Sequence, residues 1–284
     1  MSKQVIAVVT GASRGAGKGV AIALGATGAT VYVTGRSVSG TESPVGGSVT
    51  ETAAAVTRAG GRGVAIAVDH ADDAAVEGLF QAVRQEHGRL DILVNNAAYL
   101  ADAPVPTAPF WEKPLAAADL ITIGLRSHYV ASYFAAPMLI ANGQGLIVNT
   151  GHYGAVSYHQ GPAYGAQKAG ADKMAADMAK ELRAFNVAAV SIWMGSVATE
   201  RGQAYRDTLA KAVRDAIPLE SPQFTGRVIA ALYASSDRML LSGQALIGAE
   251  LAERLGVADI DGRQPPSHRD TKGGPPKLHP SLLS

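Results

Sequence analysis

The chain has 284 residues, of which 47% are hydrophobic, and its 25 Lys and Arg against 24 Asp and Glu leave a formal charge of +1. This apolar content is enough for a sizeable core and excludes a disordered chain, while the near-zero charge argues against a nucleic-acid partner. There is no cysteine for a disulfide, a thiolate nucleophile or a Cys-ligated metal, and no run of about 18 apolar residues, so we expect a soluble cytoplasmic protein without a membrane partner.

Short apolar runs alternate along the chain with longer stretches of helical periodicity, a pattern typical of repeated βαβ units. The predicted strands are residues 5–9, 30–34, 63–68, 90–94, 144–149, 187–193 and 244–247. The predicted helices are residues 16–26, 50–59, 72–87, 116–141, 162–184, 203–215 and 223–235. Together they predict one doubly wound Rossmann-type α/β domain, with a seven-stranded parallel sheet and helices on both faces, over residues 1–260.

Three stretches interrupt this alternation. Residues 37–48 are rich in Gly and Ser and predict a loop, and residues 101–114 hold four prolines around Phe110 and Trp111, too many for a helix. Residues 261–284 are rich in Pro, Gly and charge, so we expect a C-terminal tail outside the packed domain, either disordered or packed on a neighbouring subunit.

A glycine-rich turn follows the first predicted strand and opens the first helix, as in dinucleotide-binding βαβ units. The candidate cofactor-binding residues in this turn are Gly11, Ser13, Arg14, Gly15 and Gly17. The sequence Gly17-Lys18 superficially matches a P-loop, but Ala12 stands where the first glycine of that motif belongs, and Gly19 stands where Ser or Thr would hold magnesium. We therefore predict a dinucleotide site.

The second predicted strand is followed by Arg36, at the position where NAD-preferring sites carry Asp or Glu for the ribose hydroxyl. A guanidinium matches a phosphate bidentately, and Arg14 offers a second cation, so the predicted cofactor is NADP(H). An exposed surface charge at Arg36 is the alternative interpretation.

Tyr164 and Lys168 lie at i and i+4 on one helix face, after the fifth strand, where the carboxyl ends of parallel strands form the ligand crevice. A tyrosine is a slow acid–base group at neutral pH unless a cation stabilises its phenolate, and Lys168 is placed to do so. The same ammonium can bind the nicotinamide ribose. Tyr164 and Lys168 are therefore candidates both for catalysis and for cofactor binding.

These motifs, with Asp69, Asn95-Asn96-Ala97-Ala98 and Gly195 to Thr199 in the same order, resemble the short-chain dehydrogenase/reductase family over about residues 4–250. The resemblance implies that Asp69 lies beside the adenine, Asn96 and Ala97 along the adenosine ribose, and Val197 and Thr199 at the nicotinamide carboxamide. It also implies a homodimer or homotetramer formed through the helices near 116–141 and 162–184. More narrowly, Trp111-Glu112, Gly124-Leu125-Arg126 and Val257 to Gln264 are similar to a subgroup typified by dehydrogenase/reductase SDR family member one.

Two positions depart from the family pattern. Gly151 stands where the family has a carbonyl-polarising Ser, thirteen residues before Tyr164, and Gly124 replaces an Asn that holds a relay water. Thr150 or His152, which flank the vacated position, could supply a substitute donor, with an ordinary loop histidine as the alternative for His152. Neighbours on a strand point to opposite faces, so we expect that neither reaches the substrate without a backbone shift. We also expect Gly151 to enlarge the pocket for a bulky ketone.

Apolar walls for such a pocket could come from Trp111, Tyr153 and Tyr158, whose alternative role is ordinary packing. The predicted function is an NADP(H)-dependent oxidoreductase that interconverts a small-molecule ketone and a secondary alcohol. The alternatives are a non-catalytic or weakly active dinucleotide-binding protein, and a lyase, isomerase or dehalogenating relative on the same scaffold.

Overall fold

A computed structural model describes residues 3–41, 45–99 and 108–282. Seven strands form one parallel sheet in the order β3-β2-β1-β4-β5-β6-β7. Their bounds are β1 Ile6–Val9, β2 Thr30–Gly35, β3 Arg62–Ala67, β4 Ile92–Asn95, β5 Gly145–Gly151, β6 Val187–Trp193 and β7 Ala245–Ile247. The predicted fold class is confirmed, and each predicted strand overlaps an observed one.

The connecting segments are mostly helical. The helices are α1 Gly15–Gly25, α2 Val49–Arg58, α3 Asp73–His87, α4 Asp119–Ile121, α5 Ser127–Ala141, α6 Pro162–Leu182, α7 Glu200–Asp207, α8 Lys211–Ala216, α9 Phe224–Ala234, α10 Gly248–Leu255 and α11 Arg269–Lys272. Local sequence explains their ends: α3 starts where the Asp72 carboxylate accepts the Ala74 and Ala75 N–H groups, and it stops at Gly88, whose φ is 65°.

Each central strand is buried on both sides, which is why it appears in the sequence as a continuous apolar run. In β1, Ala7 and Val9 pack in the core layer that contains α1 and α9, whereas Ile6 and Val8 pack in the layer that contains α3 and α5. The order of the strands reverses between β1 and β4, so the ligand crevice of this sheet lies at the carboxyl ends of its central strands.

Two predicted helices are interrupted. The helix predicted at residues 116–141 contains a π-helical turn at Thr122–Arg126 between α4 and α5, where it packs on α6. The helix predicted at residues 203–215 is split into α7 and α8, because the Thr208 hydroxyl donates to the Tyr205 carbonyl at 2.6 Å and so competes with helical continuation.

The C-terminal segment contacts its own domain, which corrects the expectation that it lies outside the packed structure. The Ser157 hydroxyl donates to the Lys272 carbonyl at 2.8 Å, and Arg269 forms an ion pair with Glu250 at 2.6 Å. The domain boundary near residue 260 stays a prediction. Within the described residues, no helix combines the length and apolar character needed to cross a bilayer.

Candidate active site

The glycine turn between β1 and α1 brings backbone close to backbone. Gly11 and Gly15 have φ values of 62° and 58°, a region that L side chains rarely adopt. A Cβ atom at Gly11 would lie 2.7 Å from the Ala97 Cα, and one at Gly17 would overlap the Asn96 amide nitrogen. The turn therefore exposes main-chain N–H groups at the start of α1, where a helix leaves its first donors unpaired.

Residues that follow β4 hold this turn in place. The Thr10 hydroxyl accepts the N–H groups of Asn96 at 2.9 Å and Ala97 at 3.0 Å. In return, the Asn96 Nδ2 donates to the carbonyls of Thr10 at 2.9 Å and Gly11 at 3.0 Å. Asn96 thus acts here as a brace for the glycine turn, and its predicted place along a cofactor ribose stays a prediction.

The start of α1 already holds an anion. The Gly15 N–H donates to the Glu200 carboxylate at 3.0 Å, and Glu200 begins α7 directly after Thr199. Thr199 caps that helix by accepting the Gly202 N–H at 3.0 Å, and Val197 pairs in a short parallel bridge with Glu220. Because a carboxylate has the charge sign of a phosphate, this contact shows that the Gly15 N–H at the start of α1 pairs with an anion.

Two arginines lie at the carboxyl end of β2. The Arg14 guanidinium donates to the Gly46 carbonyl and to the Ser37 hydroxyl, both at 2.6 Å, which holds it over the segment that follows the strand. Arg36 is exposed in the same segment. The predicted pair of cations is therefore present at this edge of the crevice.

The ends of β2 and β3 add a buried histidine to the predicted residues. Asp69 is exposed after β3 and accepts the Ala71 N–H at 3.0 Å. Its neighbour His70 is buried with its Nε2 2.8 Å from the Thr34 hydroxyl, and burial lowers the pKa of its imidazole to about 4. Ser13 is also buried, and its carbonyl accepts the Thr52 hydroxyl at 3.4 Å.

Tyr164 and Lys168 lie in the first turns of α6, which begins at Pro162 after Gly161 with a φ of 108°. The Lys168 Nζ is buried, donates to the Thr150 carbonyl at 2.9 Å and lies 5.6 Å from the centroid of the Tyr164 ring. Burial lowers the pKa of the ammonium to about 8, and the nearby Asp172 carboxylate opposes this shift.

Burial raises the pKa of the Tyr164 phenol, and the neighbouring Tyr153 adds to the effect. The sequence predicts that Lys168 keeps this phenol ionisable, but in the chain alone the loss of water outweighs any stabilisation by the ammonium. Tyr164 is therefore held as a neutral phenol, which is the form that donates a proton.

The space at Gly151 is filled rather than open. Gly151 pairs with Trp193 across β5 and β6, and a Cβ atom at this glycine would overlap both the Ser191 Oγ and the Trp193 Cδ1. The Trp193 indole is fully buried and donates to the Asp172 carboxylate at 3.0 Å and 3.1 Å. Burial raises the pKa of that carboxylate to about 6. The expectation of an enlarged pocket at Gly151 is wrong, because the indole occupies the space.

The space beside Gly124, the second departure from the family pattern, is also filled by a side chain. It lies in the π-helical turn before α5, and a Cβ atom there would lie 2.5 Å from the Gln167 Cδ. The Gln167 amide is buried and donates to the Gly124 carbonyl at 3.3 Å. An amide from α6 therefore stands against the position where the family pattern predicts an amide from the preceding helix.

The two residues that flank Gly151 have different surroundings. The buried Thr150 hydroxyl donates to the Asn95 carbonyl at 3.3 Å, whereas the His152 ring makes an edge-to-face contact with the Tyr164 ring at 5.6 Å between centroids. The strand ends at Gly151, and the chain then turns through Tyr153–Ala155. His152 itself keeps an extended backbone, with φ of −165° and ψ of 153°, and the expectation that it needs a backbone shift to reach the substrate stays a prediction.

Of the three predicted apolar walls, only one is packed at the site. Trp111 and Tyr158 are 71% and 84% exposed. Tyr153 contacts the His152 ring at 3.8 Å between centroids and the His268 ring at 5.4 Å. His268 belongs to the C-terminal segment, which therefore contributes to the substrate side of the site.

Several of these residues escaped the sequence-based prediction. Asp172 had a usable signal, because it lies four residues after Lys168 on the same helix face. Glu200, Trp193 and His268 had none, since their proximity depends on how separate strands, loops and the C-terminal segment meet.

Comparison with known proteins identifies the family of the chain. The family model described as short chain dehydrogenase matches residues 5–210. The chain is 39% identical over 273 residues to dehydrogenase/reductase SDR family member 1 of Mus musculus, which covers 92% of this chain and 85% of the relative. It is 29% identical over 245 residues to 3-oxoacyl-acyl-carrier-protein reductase FabG of Vibrio cholerae, covering 85% and 94%.

A solved structure of a metagenomic short-chain oxidoreductase in complex with NADP is 29% identical, with a TM-score of 0.65, and the match covers 82% of this chain and 92% of that one. The predicted resemblance, including the narrower subgroup, is confirmed. The chain therefore belongs to the short-chain dehydrogenase family.

Proposed function

We propose that the chain is an NADP(H)-dependent oxidoreductase that interconverts a ketone and a secondary alcohol. The observation that carries this proposal is the pairing of a partly buried phenol, Tyr164, with a buried ammonium, Lys168, at the carboxyl end of β5. In the parallel sheet, β1 and β5 are separated by β4 alone, and the carboxyl ends of all three strands lie at the same edge. The proposed crevice at this edge therefore includes both the glycine turn and the Tyr164–Lys168 pair.

The residues proposed to hold the dinucleotide are those of the glycine turn and the two arginines after it. The main-chain N–H of Gly15 donates to the Glu200 carboxylate, which supports anion binding at this turn, and the two cations near the end of β2, Arg14 and Arg36, are the proposed partners of a 2'-phosphate. The bound nicotinamide supplies the hydride in reduction and accepts it in oxidation.

Proton transfer is the part of the reaction that the chain performs itself. As hydride adds to the carbonyl carbon, the oxygen becomes an alkoxide and the Tyr164 phenol donates its proton to it. Lys168, held by the Thr150 carbonyl, stays charged below pH about 8 and stabilises the phenolate that is left. In oxidation, the same two groups act in the reverse sense.

Tyr164→Phe tests the proposed reaction. We expect this variant to bind NADPH as tightly as the wild type, measured by fluorescence titration, but to lose turnover of a ketone panel by a factor of about 10² to 10⁴. Tight NADPH binding without Tyr164-dependent turnover would instead support a dinucleotide-binding protein, the function that Gly151 and Gly124 favour.

Arg36→Ala tests the proposed cofactor preference. We expect a loss of NADPH affinity of about tenfold or more and little change for NADH, because only NADPH carries the 2'-phosphate. Arg58→Ala is the matched control, since Arg58 is also exposed but lies at the end of α2. Equal losses for both cofactors would contradict the assignment.

We also propose a homodimer or homotetramer formed through α5 and α6. Tyr129 and Tyr133 lie one turn apart on α5 and are 55% and 64% exposed, an apolar pair that an interface would cover. Light scattering coupled to size-exclusion chromatography measures the mass. Cytoplasmic localisation stays a prediction.

A further inference from the structure

The site lacks the hydroxyl that the family uses to polarise a carbonyl, and the structure shows why it cannot simply be added back. The position at Gly151 is covered by Trp193 and Ser191, and the hydroxyl of Thr150 is buried against the Asn95 carbonyl. If the site supplies a donor for the substrate oxygen, another residue that borders Tyr164 has to carry it.

His152 borders Tyr164 and has a fixed tautomer. Its Nδ1 accepts the Gly154 main-chain N–H at 3.1 Å, so this nitrogen carries a lone pair rather than a proton. In a neutral imidazole the proton is then on Nε2, which makes Nε2–H a donor. The hydrogen bond to Gly154 lies within the short turn that follows β5, and it fixes both the ring and its proton.

The ring is also held between aromatic neighbours. The His152 centroid lies 3.8 Å from that of Tyr153 and 4.8 Å from that of His159, and its contact with Tyr164 is edge-to-face. Such packing leaves the imidazole little freedom to rotate, which is what a preorganised hydrogen-bond donor requires.

The surroundings keep the imidazole neutral. Burial lowers the pKa of His152 to about 2, and the groups that face it from the loop before α6, from α6 and from the C-terminal segment shift it in the same direction. These groups are His159, Lys168, His268 and Lys272. A neutral imidazole donates through a single N–H and does not compete with Tyr164 as the acid.

We propose that His152 is a catalytic residue that replaces the missing serine by donating its Nε2–H to the carbonyl oxygen of the substrate. This inference rests on the proposed function. As hydride adds to the carbonyl carbon, the C=O π pair moves to oxygen and the Tyr164 proton is transferred to it. His152 keeps its own proton throughout and only stabilises the developing charge.

Two substitutions separate the donor from the structural contact. His152→Asn keeps an acceptor near the Gly154 N–H but removes the distal donor, whereas His152→Gln places an amide donor near the Nε2 position. With NADPH and 9,10-phenanthrenequinone as the probe, we expect His152→Asn to lower kcat by a factor of about 10² to 10³. We expect His152→Gln to stay within about tenfold of the wild type, and NADPH affinity to be unchanged in both.

A wild-type kcat in His152→Asn, or an equal loss in His152→Gln, would overturn the inference. The proposed function is tested separately in the same assay: if Tyr164→Phe loses turnover and His152→Asn does not, the function stands and the role of His152 falls. If Tyr164→Phe has no effect, the proposed function itself falls.

A measurement without turnover tests the same inference. In ¹⁵N NMR spectra at pH 7, assigned by comparison with His152→Asn, we expect the His152 Nε2 to carry the proton and Nδ1 to be unprotonated. The opposite tautomer or a doubly protonated ring would overturn the role of His152 whatever the probe shows.

Discussion

Glycines in two regions of the crevice look alike in the sequence, but the atoms that occupy the space beside them differ. In the glycine turn, the missing side chains at Gly11 and Gly17 let the main chain approach Ala97 and the Asn96 amide. On the substrate side, the missing side chains at Gly151 and Gly124 are replaced by side chains of the same chain, an indole and an amide. The glycines of the first region let chain segments approach closely, whereas the second region is rebuilt from side chains of the same chain.

This difference changes the meaning of a lost catalytic side chain. When a side chain is removed and no neighbour fills its place, a cavity remains, and a substitution can put the side chain back. At Gly151 the Trp193 indole has taken the space and is fixed by its hydrogen bonds to Asp172. The site therefore needs a donor from a new direction, and His152 provides one.

Gly17→Ala is expected to have the largest effect, because it breaks the glycine turn. The new Cβ would overlap the Asn96 amide and lie 2.5 Å from the Gly11 carbonyl oxygen, and main chain cannot give way cheaply. We expect a loss of about 3 kcal/mol in the free energy of unfolding and a collapse of NADPH affinity. Urea denaturation and fluorescence titration measure the two quantities.

Gly78→Ala is the matched control for this prediction. Gly78 lies within α3, and no atom lies within 4 Å of the added Cβ among the residues that the structure describes. Because alanine favours a helix over glycine, we expect a gain of about 1 kcal/mol. Equal stability of the two variants would show that the turn is not tightly packed.

Gly151→Ser tests the rebuilt region. If the position were an empty slot for the lost hydroxyl, the new serine would raise turnover. Because its Cβ overlaps the Ser191 Oγ and the Trp193 Cδ1, we expect a loss of about 2 kcal/mol in unfolding free energy and no gain in kcat. Gly151→Ala carries the same Cβ without the hydroxyl and is expected to lose as much stability. A faster Gly151→Ser enzyme would contradict this interpretation.

The first region could be predicted almost entirely from the sequence, and the second only in part. Residues 10–17, Asn96 and Ala97 follow a local pattern, because a tight turn after a strand demands glycine at fixed spacings. The absence of a serine at position 151 was also visible. The sequence did not predict that Trp193 fills the space beside Gly151, because Trp193 belongs to a neighbouring strand and comes next to Gly151 only through the sheet register.

The interruptions of the helices and the path of the C-terminal segment were hidden for a related reason. Hydrophobic periodicity reports which face of a helix is buried, but the π-helical turn around Gly124 depends on packing against Gln167 of another helix. The polar composition of residues 261–284 favoured a free tail, and its ion pair with Glu250 and its contact with Tyr153 are long-range.

His128 lies between the glycine turn and the substrate side, and its burial makes the free energy of unfolding depend on pH. Its Nε2 is 3.1 Å from the Ala97 carbonyl, and burial lowers its pKa to about 3. The folded state therefore binds fewer protons than the unfolded state below pH 6.5, so stability falls as the pH falls. At pH 5.5 this residue alone is expected to cost about 1.4 kcal/mol relative to pH 7.5.

His128→Gln removes this dependence while it keeps a donor to the Ala97 carbonyl. Urea denaturation at pH 7.5 and 5.5 should show the smaller drop in the variant, whereas His279→Gln in the exposed C-terminal segment should behave as the wild type. An unchanged drop in His128→Gln would mean that the acid sensitivity comes from other groups.

Lys272→Met is expected to have the smallest effect and tests whether the C-terminal segment belongs to the rebuilt region. The Lys272 Nζ lies 5.7 Å from the centroid of the Tyr153 ring, so its charge acts on the ring that packs against His152. Methionine keeps much of the apolar stem and removes the charge, for which we expect a loss of about 0.5 to 1 kcal/mol with unchanged NADPH affinity. Lys277→Met, on an exposed lysine of the same segment, is expected to be neutral. If both variants were neutral, the segment would contribute no cation to the site, and the rebuilt region would end at Tyr153.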